Sequence, residues 1–213
     1  TGSHHAVPRS GRGLVGSAGI YTLANIANNA IPFLLLPVLT RVLTPEEFGI
    51  VAIFTTLVTA FGAFTGLSAH GAVNVRLFDP QTRHARYVGT VLAILGSSTA
   101  VVLLVVLLAA PWISDWSQVP RGWLLVAVLV SGAQVLIQVR LVVWQVRGQP
   151  VRYGIFQVLQ TALNLGLSLL LIVGVGMGWE GRLIGILSAV LLFAALGLVT
   201  LRRASELEWS FDT

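Results

Sequence analysis

Six long apolar segments, separated by short polar loops, constrain the fold of this 213-residue chain more than any other feature. Each has about the 20 apolar residues that a helix needs to cross a hydrocarbon layer of ~30 Å. Only 10% of the residues are charged, whereas about 25% are charged in a typical soluble domain. The sequence therefore predicts an all-α, polytopic membrane helix bundle with six transmembrane helices. Their ranges are Leu14–Leu39, Phe48–Val75, Tyr87–Ala110, Gly122–Val146, Gly154–Met177 and Leu183–Leu201.

The placement of arginine predicts how this bundle is oriented. The chain has 13 Lys and Arg residues, all of them Arg, and only Arg140 lies inside an apolar segment. When the loops and tails are assigned alternately to two sides of the membrane, only Arg41, Arg121 and Arg182 fall on one side. The other side is arginine-rich and holds Arg9, Arg12, Arg76, Arg83, Arg86, Arg147, Arg152, Arg202 and Arg203. Short loops rich in Arg stay in the cytoplasm. Both termini lie on the arginine-rich side, so we expect both in the cytoplasm.

The two ends of the chain differ in character from the middle. Residues 1–13 are polar, and we interpret them either as a native cytoplasmic tail or as a sequence left by cloning. Residues 14–201 are expected to form a six-helix transmembrane half-bundle. Residues 202–213 are charged and amphipathic, and we interpret them as a cytoplasmic segment that leads to a second half of the protein.

Several function classes lack their signatures in this sequence. There is no Gly-rich phosphate loop, no HExxH motif and no cysteine, and the acidic residues lie in predicted loops or tails. We therefore expect no enzyme activity, no metal and no cofactor. The net charge of +5 does not indicate nucleic-acid binding, because no motif frames the arginines. Membrane orientation and contact with anionic headgroups explain them better, so membrane lipids are the expected partners.

Polar side chains inside the apolar segments are the candidate site residues, because hydrocarbon makes them costly and they usually face a bundle interior. Asn25 and Asn28 share a face of the first segment. Gln157, Gln160 and Asn164 step by three and four, which gives one polar stripe along the fifth. Two interpretations stay open: these amides bond neighbouring helices together, or they line a cavity.

Arg140 and two glycine motifs add further expectations. Arg140 lies seven residues, or about 10 Å, before Arg147. It either reaches the cytoplasmic headgroups or faces a hydrated cavity that attracts an anion. The motifs Gly62-x-x-x-Gly66 and Gly181-x-x-x-Gly185 predict close helix approaches.

The loops carry their own signals. Thr44 is the predicted N-cap of the second helix, followed by Pro45 in its first turn. Pro111 and Pro120 are expected to bracket the loop before the fourth helix.

Five features stand in a characteristic order and spacing along the chain: PVLTRVLTPEEFG at 37–49, GAVNVRLFD at 71–79, WQVRG at 144–148 with Arg152 and Tyr153, Asn164, and GWEGRLIG at 178–185. Together they resemble Wzx-type polysaccharide-biosynthesis flippases of the multidrug/oligosaccharidyl-lipid/polysaccharide exporter superfamily. The resemblance covers residues 14–213 and would make this chain the N-terminal half of such a protein.

The resemblance implies two six-helix halves around a central, often cationic cavity. By alternating access, such proteins move an undecaprenyl-pyrophosphate-linked oligosaccharide, such as an O-antigen or exopolysaccharide unit, across the bacterial inner membrane. No ATP-binding domain or other cofactor is implied. Arg76 and Arg140, and with them Arg152, would attract the pyrophosphate. The sugar hydroxyls would bond to Asn25, Asn28, Gln157, Gln160 and Asn164.

The resemblance favours a truncated exporter half that needs its C-terminal half as a partner. Two alternatives to this interpretation stay open. One is a complete six-span scaffold or accessory protein that pairs with a second copy. The other is half of a related cation-coupled drug exporter. Such exporters usually need a buried acid for the coupling ion, and none of the six apolar segments contains Asp or Glu.

Overall fold

The structure is a computed structural model that describes residues 11–66 and 84–203. These residues form six α-helices, and a π-helical turn at Leu170–Gly174 extends the fifth. Within the described ranges there is no strand, so the predicted all-α class is confirmed. The helices are α1 (Gly11–Val42), α2 (Pro45–Gly66), α3 (His84–Ser117), α4 (Arg121–Val146), α5 (Pro150–Leu169) and α6 (Gly178–Arg203).

Five of these helices are long and apolar enough to cross a membrane, which confirms the polytopic bundle. The helix α1 is not among them, and the side chains of several of its residues lie outside what the structure describes. The sixth span and the cytoplasmic termini therefore stay predictions. The five candidate spans are Pro45–Gly66, Leu92–Ser117, Arg121–Val146, Pro150–Gly174 and Gly178–Leu201.

The centre of the bundle is α4, which packs against α2, α3 and α6. In α4, 61% of the most apolar stretch is buried, against 17% in α3. Exposed side chains such as Leu104 and Leu108 cover the outside of α3, as expected for a helix that faces lipid. The helix α1 packs mainly against α5 and hardly touches α2.

The turn between α1 and α2 is held by a reciprocal pair of hydrogen bonds. The backbone N–H of Thr44 donates to Glu47 Oε2 at 2.9 Å, and the backbone N–H of Glu47 donates to Thr44 Oγ1 at 3.2 Å. This is a capping box, in which two helix-start donors are satisfied at once. The predicted N-cap at Thr44 is confirmed, with Pro45 as the first residue of α2.

Two predicted loop boundaries are wrong. The helix α3 continues through Pro111 and ends at Ser117, because a proline removes one helical hydrogen bond without stopping a long helix. The chain leaves the helix only at Gln118, whose φ of 60° is left-handed. The helix α6 begins at Gly178, five residues before the predicted Leu183, and this early start places Arg182 inside the helix.

One end of the bundle, here called the aromatic end, is rich in tryptophan. Trp112 and Trp116, in the last turns of α3, are each 83% exposed. Trp123 of α4 packs edge-on against Trp179 of α6, with ring centroids 6.0 Å apart. Tryptophan is enriched where a membrane meets water, so this end fits a membrane interface. It lies opposite the loop Arg147–Gln149 and the C-terminal end of α6 at Arg203, which are on the predicted arginine-rich side.

The two glycine motifs behave differently. A Cβ added at Gly185 would lie 2.8 Å from the backbone N of Ser168, and one at Gly181 would lie 3.0 Å from the carbonyl carbon of Leu171. The predicted close approach between α5 and α6 is therefore confirmed, and we call it the α5–α6 seam. In the other motif a Cβ at Gly62 would meet nothing within 4 Å, and only Gly66 has a near neighbour.

Candidate functional site

A cavity of about 530 Å³ lies among α1, α2, α4 and α5. Its volume falls within the ~300–1,000 Å³ that is common for ligand pockets. All four helices contribute polar groups, and apolar residues such as Val58 and Leu141 fill the rest of the wall. The polar groups belong to Asn28, Thr59, Ser131, Gln134, Gln138, Gln157, Gln160 and Thr161.

Three of the predicted site residues, Asn28, Gln157 and Gln160, line this cavity. Their helix spacing explains the arrangement, because residues three or four apart on α5 share a face. Thr161 lies on that face as well. Its hydroxyl donates to Asn28 Oδ1 and also lies 3.1 Å from the carbonyl oxygen of Gln157. The cavity wall is therefore bonded together where α1 meets α5.

Asn25 lies beside the cavity and joins two helices. Its Oδ1 accepts a hydrogen bond from Tyr153 Oη and another from Gln157 Nε2, both at 3.3 Å. The ring of Tyr153 also packs edge-on against Tyr21, with centroids 5.0 Å apart. Asn25 is thus one of the groups that bond α1 to α5, which is the first of the two interpretations that the sequence left open.

Gln157 has one polar atom without a partner. Its Oε1 is buried and accepts no hydrogen bond from any residue that the structure describes. Buried acceptors are nearly always paired in folded proteins, and leaving one unpaired costs about 1–3 kcal/mol. This oxygen is closed off from the cavity in the conformation described, so a ligand would reach it only after neighbouring side chains had moved.

Asn164 lies in the α5–α6 seam. Arg182 Nη1 donates to Asn164 Oδ1 and to Ser168 Oγ, each at 2.7 Å. Asn164 does not line the polar cavity. Sequence reasoning missed Arg182 because the sixth apolar segment was predicted to begin only at Leu183, which left Arg182 in the preceding loop.

Arg140 is buried inside the bundle, with 5% of its surface exposed. Its guanidinium carbon lies 4.2 Å from the ring centroid of Trp144, which is a cation–π contact. Its methylene groups pack beside Gly197 of α6. Arg140 is not among the lining residues of the cavity, and its burial does not match the interpretation that it extends to the headgroups.

Of the two other arginines predicted to attract the pyrophosphate, Arg76 lies outside the described residues, and Arg152 is exposed in the first turn of α5. For all three arginines a substrate-binding role stays a prediction.

Other cavity residues were not among the predicted site residues. Gln134 and Gln138 are four apart on α4, and this spacing is a usable signal. The hydroxyl residues gave little signal because a helical Ser or Thr can bond to its own backbone. Ser131, for example, donates to the carbonyl oxygen of Val128 at 2.7 Å.

The chemistry of the cavity is neutral hydrogen bonding. No charged side chain is found among its lining residues in the described part of the chain. Across residues 11–66 and 84–203, no three His, Asp or Glu side chains gather to hold a metal ion. Amide and hydroxyl groups both donate and accept, so the wall suits a ligand with many hydroxyl groups.

The fold and the cavity define the class: a polytopic α-helical membrane protein with a polar internal cavity. A sequence profile described as "polysaccharide biosynthesis protein" matches residues 14–205. The chain belongs to this family.

Comparison with curated proteins gives a more limited relationship. The chain is 40% identical over 60 residues to an uncharacterized membrane protein of Haemophilus influenzae. That match covers 28% of this chain and 15% of the relative, so the chain spans a small part of the relative's length. No solved structure matches the chain at a significant level.

Proposed function

We propose that this chain forms part of a transporter that moves an undecaprenyl-pyrophosphate-linked oligosaccharide across the bacterial inner membrane. Membership of the polysaccharide biosynthesis family supports a role with glycan precursors. Five membrane-compatible helices and a membrane-protein relative support a multi-pass location. The observation that carries the proposal is the neutral, amide-lined cavity among α1, α2, α4 and α5.

The cavity wall matches the hydrogen-bonding needs of a sugar. Each sugar hydroxyl donates one hydrogen bond and accepts others, and a carboxamide offers the same pair of functions. The buried Oε1 of Gln157 lacks a donor among the described residues, and a sugar hydroxyl would supply one once a shift of the side chain had opened this oxygen to the cavity. A cavity without charges favours the uncharged glycan over the pyrophosphate, because phosphates are best held by guanidinium groups.

The pyrophosphate would therefore bind elsewhere, at arginines on the arginine-rich side. Arg76, in a loop predicted from the sequence, and Arg152, at the start of α5, are the candidates. Arg152 is exposed in the first turn of α5 and donates to Gln149 Oε1 at 3.1 Å. In the conformation described, the guanidinium of Arg140 lies against Trp144. Arg140 would reach a phosphate only after its packing with α6 had changed, as a change between inward-open and outward-open states would allow. The lipid tail would stay in the bilayer.

The test is glycan export by variants of the full-length gene product. In a strain that lacks the native gene, Gln157→Leu and Gln160→Leu remove two amides from the wall and keep similar side-chain volumes. A net hydrogen bond contributes about 0.5–1.5 kcal/mol, so each variant should reduce export roughly 2- to 10-fold. The readout is surface glycan, normalised to the amount of protein in the membrane.

Leu159→Ala is the matched control, because Leu159 lies between the two glutamines in sequence and is 54% exposed on the outside of α5. Its export should equal that of the parent. Normal export by the Gln157→Leu/Gln160→Leu double variant, at equal protein level, would remove the cavity from the transport path.

A further inference from the structure

A second pocket lies at the aromatic end of the bundle, between the last turns of α1 and the π-helical turn that follows α5. Its volume is about 710 Å³, and it shares no lining residue with the polar cavity. Apart from one arginine, its wall consists of apolar side chains and backbone. The residues that shape it include Pro37, Arg41, Val42, Leu170, Val173 and Gly174. We call it the apolar groove.

The π-helical turn forms one wall of the groove. Within it, the backbone N–H of Val175 donates to the carbonyl oxygen of Leu170 at 3.1 Å, which is the wider π spacing. Leu170 and Val173 are 58% and 60% exposed, so their side chains face outward. In a membrane this surface faces lipid, and the groove is open to an acyl chain.

Arg41 is the one charged residue on the wall of this groove. It is exposed, and no hydrogen bond or ion pair joins it to another residue in the described ranges. Two acids follow it in the first turn of α2, Glu46 and Glu47, and the carboxylate of Glu47 is already bonded to Thr44. Arg41 is the next-to-last residue of α1, at the same end of the bundle as the exposed tryptophans. An arginine at that depth is placed to meet a phosphate.

From these features we infer that the apolar groove binds an anionic phospholipid of the leaflet at the aromatic end. One acyl chain lies between α1 and the π-helical turn, and the phosphate bonds to Arg41. The apolar wall favours a lipid over free phosphate, which has no chain to bury. The arginine favours a lipid over a covering helix, since a helix packed there would bury an unpaired charge at considerable cost.

The test is native mass spectrometry of the full-length gene product, released from detergent and titrated with phosphatidylglycerol or with phosphatidylcholine carrying the same acyl chains. We expect the first phosphatidylglycerol to bind more tightly than phosphatidylcholine. Arg41→Ala should weaken that binding about fivefold, since one arginine near an anionic headgroup contributes about 1 kcal/mol. Gly174→Trp should weaken both lipids, because its side chain would occupy the groove; a Cβ at this position meets only Leu170 Cγ, in ordinary contact at 3.9 Å.

Arg121→Ala is the matched control. Arg121 is also exposed and starts α4 at the aromatic end, but it does not line the groove. The Arg121→Ala variant should bind phosphatidylglycerol as tightly as the parent protein does. Equal weakening by Arg41→Ala and Arg121→Ala would overturn the site, and so would equal affinity for the two lipids.

Two further outcomes would also overturn the proposal, each by identifying another occupant. Competition by inorganic phosphate alone would show that the anion, and not the lipid, is recognised. Because the chain has no cysteine, Val173→Cys can be combined with single cysteines elsewhere in the protein or in a second copy. A disulfide from Val173→Cys to another helix would show that protein covers the groove.

Discussion

The two ends of the polar stripe on α5 carry similar residues and meet different surroundings. Gln157 and Gln160 face a cavity bounded by α1, α2 and α4. Asn164 is on the same face, seven residues or about 10 Å after Gln157 and four residues after Gln160. There it accepts a hydrogen bond from Arg182 in the α5–α6 seam. One stripe therefore combines both interpretations that its spacing allowed.

The difference shows that the neighbour, more than the residue type, decides what a polar side chain in the membrane does. At the seam, Gly181 and Gly185 bring the backbone of α6 against α5, and no space remains for a ligand. Beside Gln160 the neighbouring helices supply their own amides and leave about 530 Å³ unfilled. A polar stripe in a membrane helix can be assigned a function only when its partner helix is known at each depth.

The largest effect is expected from filling the seam with Gly185→Leu. A Cβ at this position would already lie 2.5–2.9 Å from the hydroxyl and backbone atoms of Ser168. Overpacking costs about 1–3 kcal/mol even where side chains can move, and backbone atoms yield less. We expect a clear fall in melting temperature and in monodisperse protein on size-exclusion chromatography.

Gly62→Ala provides the comparison on the cavity side, where a Cβ would meet nothing within 4 Å. Its melting temperature should stay at the parent value. A Gly185→Leu variant as stable as Gly62→Ala would show that the two helices do not approach closely at Gly185.

A smaller loss of stability is expected for Arg182→Ala. The substitution leaves Asn164 Oδ1 and Ser168 Oγ without their charged donor. Removing one partner of a buried pair costs about 1–3 kcal/mol. Export should fall only as far as folded protein falls, because the seam holds no substrate. The readouts are thermal unfolding in detergent and export per folded molecule.

The double variant Arg182→Ala/Asn164→Leu makes this prediction specific. Replacing both partners by apolar groups removes the unpaired acceptor, so the double variant should be more stable than Arg182→Ala alone. If the stability losses of Arg182→Ala and Asn164→Leu simply add in the double variant, the hydrogen bond between Arg182 and Asn164 does not hold the seam.

The smallest effect is expected on the cavity side, for Thr161→Val. This change removes the hydroxyl that bonds to Asn28 across α5 and α1. Hydrogen bonds between membrane helices average about 0.6 kcal/mol, so the melting temperature should fall only slightly. Thr161→Ser keeps the hydroxyl, so its melting temperature should equal that of the parent. A loss as large as that of Arg182→Ala would mean that the cavity wall is as rigid as the seam.

Much of the fold could be predicted because apolar runs of membrane length have few alternatives. The N-cap at Thr44 followed from local chemistry, which the capping box with Glu47 confirms. The ends of α3 and α6 could not be placed in this way. Pro111 does not end α3, and Gly178 starts α6 although glycine disfavours a helix. A single residue of this kind is a weak signal in a long apolar helix, and the surroundings decide where the helix ends.

The candidate site was predictable in part. Amide spacing selected Gln157 and Gln160, which line the cavity, and also Asn164, which does not. Spacing fixes which face of a helix a residue occupies and says nothing about the neighbour at that depth. Arg140 illustrates the same limit. A lone arginine in an apolar run looks like a site residue, and here it packs on Trp144.

The most direct measurement of the division along α5 introduces single cysteines, because these 213 residues contain none. Any cysteine in the rest of the full-length gene product is first replaced by serine. Gln160→Cys and Ser168→Cys, each in the full-length gene product, are treated in membrane vesicles with a water-soluble maleimide. Labelling is compared between cells that accumulate the lipid-linked oligosaccharide and cells that cannot make it. We predict that Gln160→Cys reacts and is protected by the accumulated substrate, while Ser168→Cys reacts little in either case. Equal labelling at the two positions, or labelling of Gln160→Cys that the substrate leaves unchanged, would contradict a glycan-binding cavity beside a closed seam.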